Sequence, residues 1–167
     1  MGVSVRKFGT LPTGEEVKIY HLENKSGAYV EVLQYGAILV KVCVPDKNGE
    51  LRDVVLGYDD IQSYEVNGCF FGAIIGRSGN RIENSRFFID DKEVVLAENE
   101  NHNNLHSGPD GFEKKLWEVK EISQEKNSVD FFRISPDGEN GFPGEFSIVV
   151  KYEFTEENEL KIFYRGR

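Results

Sequence analysis

Residues 76–108 read GRSGNRIENSRFFIDDKEVVLAENENHNNLHSG, and the rest of the chain is organised around this stretch. Glycine, asparagine and serine surround Arg77 and Arg81 at its start and His102 and His106 at its end. Because these small polar residues disfavour helix, both ends are predicted to be loops. Functional residues often lie on loops that a rigid scaffold holds in place. Two polar loops on either side of one predicted hairpin therefore form the first candidate for a site.

The predicted hairpin joins residues 85–89 to residues 92–96 through a turn at Asp90 and Asp91. Four apolar side chains alternate along these two runs and can face a core, namely Phe87, Ile89, Val94 and Leu96. Outward from the hairpin, short β-rich runs alternate with Pro- and Gly-containing turns in both directions.

Further strands are predicted at residues 3–8, 17–22, 29–33, 37–44, 52–57, 69–75, 115–122, 129–135, 146–155 and 160–165. A single helical turn is predicted at residues 59–64. No helical period extends over eleven or more residues, and neither repeats nor linkers interrupt the pattern. We therefore predict an all-β fold with one domain over residues 1–167.

Composition excludes several classes of partner. The chain carries a formal net charge of -9 and has a pI near 4.9, whereas nucleic-acid binding draws its affinity from basic patches. No apolar run approaches the roughly 18 residues of a spanning helix, and the start lacks an apolar leader. Neither nucleic acid nor membrane is an expected partner, and a cytoplasmic location is predicted. Cys43 and Cys69 lie in apolar runs and are expected to be buried free thiols, as in a reducing compartment.

His106 is the first candidate functional residue. Imidazole suits proton transfer and hydrogen bonding near neutral pH. A turn or surface histidine without a functional role would have the same local sequence. His102 and His106 have the i, i+4 spacing of a helical metal site, but their loop context and the lack of a nearby third ligand argue against a metal. Asn80 and Arg81 offer planar donors for the hydroxyls of a small polar ligand. The alternative for Arg81 is a solvated salt bridge.

Other polar groups have simpler interpretations. Asp137 and Glu139 could be an acid/base pair, but the proline and glycines around them favour a turn. His21 lies within a predicted strand and is expected to be structural. The GRSG run at residues 76–79 is too short for a phosphate loop and lacks its lysine.

Several separate segments together resemble one known family. They are GRSGNRI at residues 76–82, FFIDDKEVVLAENENHNNLHSGPDGFEKKLWEV at 87–119 and SPDGENGFPG at 135–144, with QYGAILVKVCVPDKNG at 34–49 and DVVLGYDD at 53–60. In order and spacing they resemble the N-terminal half of the aldose 1-epimerases, also called galactose mutarotases. The resemblance extends through all 167 residues.

This resemblance implies a galactose mutarotase-like β-sandwich whose cleft binds a free hexose, such as galactose or glucose, without metal or organic cofactor. Such enzymes interconvert the α and β anomers: a base deprotonates the anomeric hydroxyl, an acid protonates the ring oxygen, and the opened sugar recloses. The family's Asn-Arg pair falls on Asn80 and Arg81, which would bind sugar hydroxyls. Its histidine falls on His106, which would lie near the ring oxygen in a catalytic and binding role. Ser107 stands where the family motif has a glycine.

The resemblance also implies what this half lacks. Family members are about twice as long, and their second half supplies a histidine as general acid and a glutamate as general base. No such histidine motif occurs here, so we expect an N-terminal portion that on its own lacks the main acid and base. Three alternatives remain open. They are a non-catalytic sugar-binding sandwich, a hexose-phosphate epimerase using Arg77 as an extra cation, and a chain that self-associates through exposed core.

Overall fold

The computed structural model describes residues 2–167, which form antiparallel β-sheets with little helix. The strands are β1 (Gly2–Thr10), β2 (Glu16–Glu23), β3 (Tyr29–Leu33), β4 (Leu39–Pro45), β5 (Leu51–Asp53), β6 (Arg81–Ile82), β7 (Arg86–Ile89), β8 (Lys92–Val95), β9 (Asn104–Leu105), β10 (Glu118–Ser123), β11 (Ser128–Ser135), β12 (Phe146–Phe154) and β13 (Leu160–Gly166). The helix α1 spans Ile61–Val66, and 3₁₀ turns occur at Glu83–Ser85, Phe112–Lys114 and Glu139–Gly141. The all-β prediction is confirmed.

Two meanders form the sandwich. The first sheet has the order β1-β2-β3-β4-β5 and the second has the order β10-β11-β12-β13, so every neighbouring pair is also consecutive in sequence. Two small ladders, β6-β9 and β7-β8, lie in the segment that connects the two sheets. This connecting segment contains the stretch from residue 76 to residue 108, which therefore projects from a rigid two-layer scaffold.

The core lies mainly between the two sheets. One cluster joins β2 and β3 to β11 and β12, and its members include Leu22, Val30, Val32, Trp117, Phe131, Val150, Tyr152 and Phe154. A second cluster covers the opposite face of the first sheet, where α1 contributes Ile61 and Tyr64. The spacing of three residues places both side chains on one helical face, and the Asp60 carboxylate caps this helix at the Ser63 N–H. Because the first sheet is covered on both faces, its central strands are buried almost continuously.

Residues 69–75 do not form the predicted strand. The chain turns at Phe70 and Gly72, whose φ angles are 55° and 62°, and the Gly72 carbonyl accepts from the Leu39 N–H at 2.9 Å. A Cβ on Gly72 would lie 1.9 Å from the Leu39 carbonyl oxygen, so this close approach requires glycine. An apolar run by itself does not distinguish a strand from a buried irregular segment. Cys43 is buried as expected, whereas Cys69 in this segment is exposed, which corrects its prediction.

The hairpin prediction is confirmed in position and only partly in orientation. β7 and β8 pair with Phe87 opposite Val94, and Phe87 packs against Phe142 with ring centroids 6.2 Å apart. Leu96 is buried, but Ile89 near the tip is exposed.

Two further features concern exposed surfaces. At the other end of the chain, β13 forms one edge of its sheet, and Ile162, Phe163 and Tyr164 on it are exposed. Self-association through such apolar surface stays a prediction. Within residues 2–167, no helix is long and apolar enough to cross a bilayer.

Candidate active site

The short ladder between β6 and β9 brings the two polar loops together. Arg81 pairs with Leu105 and Ile82 pairs with Asn104 in antiparallel register. This pairing places Asn80 beside His106, although 26 residues separate them in sequence. The three residues that the sequence singled out, Asn80, Arg81 and His106, are thus neighbours at one end of a ladder.

Two hydrogen bonds between Asn80 and His106 fix the imidazole. The His106 N–H donates to the Asn80 carbonyl at 3.0 Å, and the Asn80 N–H donates to His106 Nδ1, also at 3.0 Å. Because Nδ1 accepts a hydrogen bond, the neutral ring carries its proton on Nε2. The edge of the Phe70 ring packs on the imidazole, with centroids 4.8 Å apart. His106 therefore offers an Nε2–H donor in a fixed orientation.

The surroundings keep this imidazole neutral. Burial lowers the pKa of His106, and the positive charge of Arg81 lowers it further. Asn80, His106 and Ser107 all have left-handed backbone, with φ of 62°, 55° and 61°. Three non-glycine residues in this region indicate a local conformation that surrounding contacts impose.

Arg81 is held by a carboxylate that the sequence analysis missed. Its Nε lies 3.1 Å from each Glu100 carboxylate oxygen, and its Nη2 lies 2.7 Å from Glu100 Oε1. This ion pair matches the salt-bridge alternative for Arg81, yet Nη1 contacts only the amide oxygen of Asn80, at 3.3 Å. The Arg81 side chain is 52% exposed, so a ligand can reach it. No local signal marks Glu100, because the pairing partner lies 19 residues away.

Side-chain hydrogen bonds hold the histidine loop in shape. Ser107 Oγ accepts from the Ser78 N–H at 2.7 Å and donates to the Ser78 carbonyl at 2.9 Å. Asn99 and Leu105 exchange two further bonds, with Leu105 N–H donating to Asn99 Oδ1 and Asn99 Nδ2 donating to the Leu105 carbonyl. Asn140 donates to the Ser107 carbonyl at 2.7 Å. The asparagine-rich composition is therefore structural, and Ser107 joins the two loops in place of the family's glycine.

The other histidines lie away from this group. His102 is highly exposed, and its Nδ1 contacts Glu98 at 3.1 Å. His21 packs beside Tyr29 and contacts Glu31 within the first sheet, as a structural residue would. Residues 2–167 contain no group of three or more His, Cys, Asp or Glu side chains arranged to hold a metal ion.

Arg77 and the turn at residues 137–139 form hydrogen bonds that stabilise the fold. Arg77 donates to Ser135 Oγ at 2.8 Å and to the carbonyls of Ser135, Pro136 and Pro143 at 2.8–3.1 Å. Glu139 accepts from the buried Arg133 at 2.7 and 3.0 Å, and the Asp137 carboxylate accepts from the Gly144 N–H. These contacts agree with the turn interpretation of Asp137 and Glu139.

Comparison with known proteins gives consistent matches. A family model described as aldose 1-epimerase matches residues 18–167. The aldose 1-epimerase of Escherichia coli is 36% identical over 155 residues, which cover 93% of this chain and 44% of that protein. The galactose mutarotase of Bos taurus is 39% identical over 161 residues, which cover 96% of this chain and 46% of that protein.

Solved structures match in the same way. Galactose 1-epimerase from Lactobacillus acidophilus superposes with a TM-score of 0.85 at 25% identity, covering 98% of this chain and 48% of that one. An aldose epimerase homologue from C. elegans gives a TM-score of 0.82 at 36% identity, covering 87% and 44%. The chain thus spans about half the length of the relatives that it matches.

Proposed function

The chain belongs to the aldose 1-epimerase family, and from this membership we propose that its Asn80, Arg81 and His106 group binds a free hexose for interconversion of the α and β anomers. The family is one of isomerases, and the galactose mutarotase-like sandwich agrees with it. The observation that carries the proposal is the hydrogen bond from the Asn80 N–H to His106 Nδ1. It leaves an Nε2–H donor on a neutral ring beside the exposed guanidinium of Arg81.

Each residue has a distinct part in this proposal. The Nε2–H of His106 donates to the ring oxygen of the sugar, where negative charge develops as the C1–O bond breaks. The Nη1 of Arg81 and the Asn80 amide hydrogen-bond neighbouring hydroxyls and so orient the ring. The reaction also needs a base for the anomeric hydroxyl and an acid for the ring oxygen. We assign that pair to the half of the relatives that this chain does not match.

Hexose binding can be tested directly on the 167-residue chain. Titration with D-galactose or D-glucose, followed by amide NMR, is expected to shift the resonances of Asn80, Arg81 and His106 saturably. His106→Asn is expected to weaken binding about tenfold, as the loss of a well-placed hydrogen bond would. The matched control is His102→Asn, because His102 lies on the same loop and is highly exposed. Equal effects of the two substitutions would contradict the assignment.

Polarimetry separates binding from catalysis. With freshly dissolved α-D-galactose, we expect the chain to bind sugar while mutarotation proceeds at about the buffer rate, since one wall of the site orients the ring but supplies no base. Faster mutarotation that His106→Asn abolishes would instead locate proton transfer in this half. Binding without faster mutarotation is also what a non-catalytic sugar-binding sandwich would give. A chain that includes the unmatched half distinguishes the two, because the proposed function predicts faster mutarotation there and the alternative predicts none.

A hexose-phosphate substrate finds less support in these contacts. Arg77 was the one additional cation that the sequence offered for a phosphate. Its guanidinium is occupied by four oxygen acceptors and stacks near Phe142 and Phe146, at 5.9 and 5.8 Å from the ring centroids. We therefore expect glucose 6-phosphate to bind no more tightly than glucose in the NMR titration.

A further inference from the structure

A buried carboxyl group lies beneath the His106 loop and takes no part in the site described above. Glu113 belongs to the 3₁₀ turn Phe112–Lys114 and is only 4% exposed. Its Oε2 is inaccessible to solvent and meets no hydrogen-bond donor among the described residues. Burying an unpaired carboxylate is costly, so this group needs either a partner or a proton.

Gly111 shows what this oxygen faces. A Cβ built on Gly111 would lie 2.4 Å from Glu113 Oε2 and 3.1 Å from the backbone carbonyl oxygen of His106. Both oxygens therefore border the space that a side chain at residue 111 would fill. Within residues 2–167, the His106 carbonyl receives no hydrogen bond. A carboxylate oxygen and a carbonyl oxygen that border the same space repel, unless a proton lies between them.

The charges around Glu113 permit it to hold that proton. Burial is the largest influence and raises the pKa of Glu113, and the nearby Asp110 carboxylate raises it as well. A hydrogen bond from Glu113's own backbone N–H opposes this shift most, and Lys114 and Lys115 oppose it too, although Lys114 is exposed and Lys115 forms an ion pair with Asp110. On the neighbouring β3–β4 turn, the buried phenol of Tyr35 interacts electrostatically with Glu113, and its pKa is raised to about 12, mainly by burial. Within residues 2–167, no cation is paired with Glu113 Oε2.

We propose that Glu113, in its protonated form, donates a hydrogen bond from its carboxyl group to the backbone carbonyl of His106. Glu113 is then a positioning residue for the imidazole. Asn80 holds the N–H and Nδ1 of His106 on one side of the loop, while Glu113 holds its carbonyl on the other. Together they fix the left-handed backbone, with φ of 55°, that aims Nε2 outward. The link to sugar affinity rests on the proposed function, but the hydrogen bond does not.

NMR tests the hydrogen bond without sugar. In protein labelled at the His106 carbonyl carbon and the Glu113 carboxyl carbon, both resonances are followed from about pH 4 to about pH 8, a range that begins near the ordinary carboxyl pKa and extends above it. We expect the His106 carbonyl shift to follow the titration of Glu113. In Glu113→Gln, whose amide keeps a donor without titrating, that pH dependence should vanish while the His106 imidazole resonances stay close to wild type. Glu98→Gln, which changes a surface carboxylate near the same loop, should leave both titrations unchanged.

Sugar binding provides the second readout. We expect wild-type affinity for D-galactose to fall as the pH rises through the Glu113 titration, and the Glu113→Gln profile to be flat there. Glu113→Leu, which lacks a donor, should weaken binding about five- to tenfold, the effect of one hydrogen bond. The proposal is overturned if the His106 carbonyl shift does not follow the Glu113 titration. It is also overturned if the pH dependence of that shift persists in Glu113→Gln. A trapped water that bridges the two oxygens would be one explanation of either result. Absence of sugar binding with the carbonyl titration intact would overturn only the proposed function.

Discussion

Arg81 influences His106 through its positive charge as well as through the β6–β9 ladder, which brings the two residues together. After burial, this charge is the second cause that lowers the pKa of His106. Since an imidazole with a lowered pKa is neutral near pH 7, the Nε2–H donor coexists with an acceptor Nδ1 across the neutral range. The same arginine is oriented by Glu100, whose own pKa falls because Arg81 hydrogen-bonds to it. Arg81 thus lies in the proposed ligand site and adds to the effect of burial in keeping His106 neutral.

Arg81→Met is predicted to raise the pKa of His106 toward the ordinary histidine value. The substitution removes the positive charge that disfavours imidazolium, while burial continues to act. In the wild type, the unfolded state takes up this proton at a higher pH than the folded state. Stability linked to His106 is therefore lost as the pH falls from the ordinary value through the lowered one. Nitrogen NMR of the His106 imidazole measures the midpoint. A lowered or unchanged His106 midpoint would contradict the charge effect.

At the scale of elements, one hydroxyl adds to the two Asn80–His106 hydrogen bonds that join the loops. Ser107 is almost fully buried, and its Oγ satisfies both the N–H and the carbonyl of Ser78. The ladder between the two loops is limited to the two-residue strands β6 and β9. Side-chain hydrogen bonds therefore replace the missing ladder and set the distance between the Asn80 loop and the His106 loop.

Ser107→Ala is predicted to destabilise the chain by about 1–3 kcal/mol, because it leaves the Ser78 backbone groups without a partner. Ser107→Gly should cost less, since glycine relieves a left-handed backbone that costs other residues roughly 1–2 kcal/mol. Urea unfolding measures both free energies. Ser78→Ala is the control, because only the backbone of Ser78 takes part in these bonds. Equal losses for Ser107→Ala and Ser78→Ala would argue against the hydroxyl as the joining group, and a smaller loss for alanine than for glycine would argue against the strain relief.

The elements that were predicted from sequence are those with a periodic signal. β3 occupies the predicted residues 29–33, and the β7–β8 turn falls on Asp90 and Asp91, because alternating apolar residues and a polar pair mark them locally. The strand predicted at residues 69–75 was wrong, since their irregular path depends on the close approach of Gly72 to Leu39. Glu100 was missed for a similar reason. Its salt bridge exists only after β6 and β9 pair, and no local pattern encodes that pairing.

At the scale of the whole molecule, the two sheets enclose one core, and the site lies on the connection between them. The loops therefore depend on how firmly the sheets are held together, in addition to their own hydrogen bonds. One buried polar contact crosses the interface. The hydroxyl of Tyr152, on β12 in the second sheet, donates to the Ala37 carbonyl in the β3–β4 turn at 2.7 Å. This turn adjoins Leu39, where the Gly72 segment is attached, so the contact links the second sheet to the segment that leads into the site.

Tyr152→Phe is predicted to lower the free energy of unfolding by about 1–3 kcal/mol, since it removes only the hydroxyl and leaves the Ala37 carbonyl buried without a donor. Tyr20→Phe is the matched control. Tyr20 is a buried tyrosine of the same core, packed edge-on against Phe131 at 5.3 Å, and its hydroxyl forms no hydrogen bond within residues 2–167. Urea unfolding should show a marked loss for Tyr152→Phe and almost none for Tyr20→Phe. If both variants lose the same amount, packing rather than the hydrogen bond accounts for the effect.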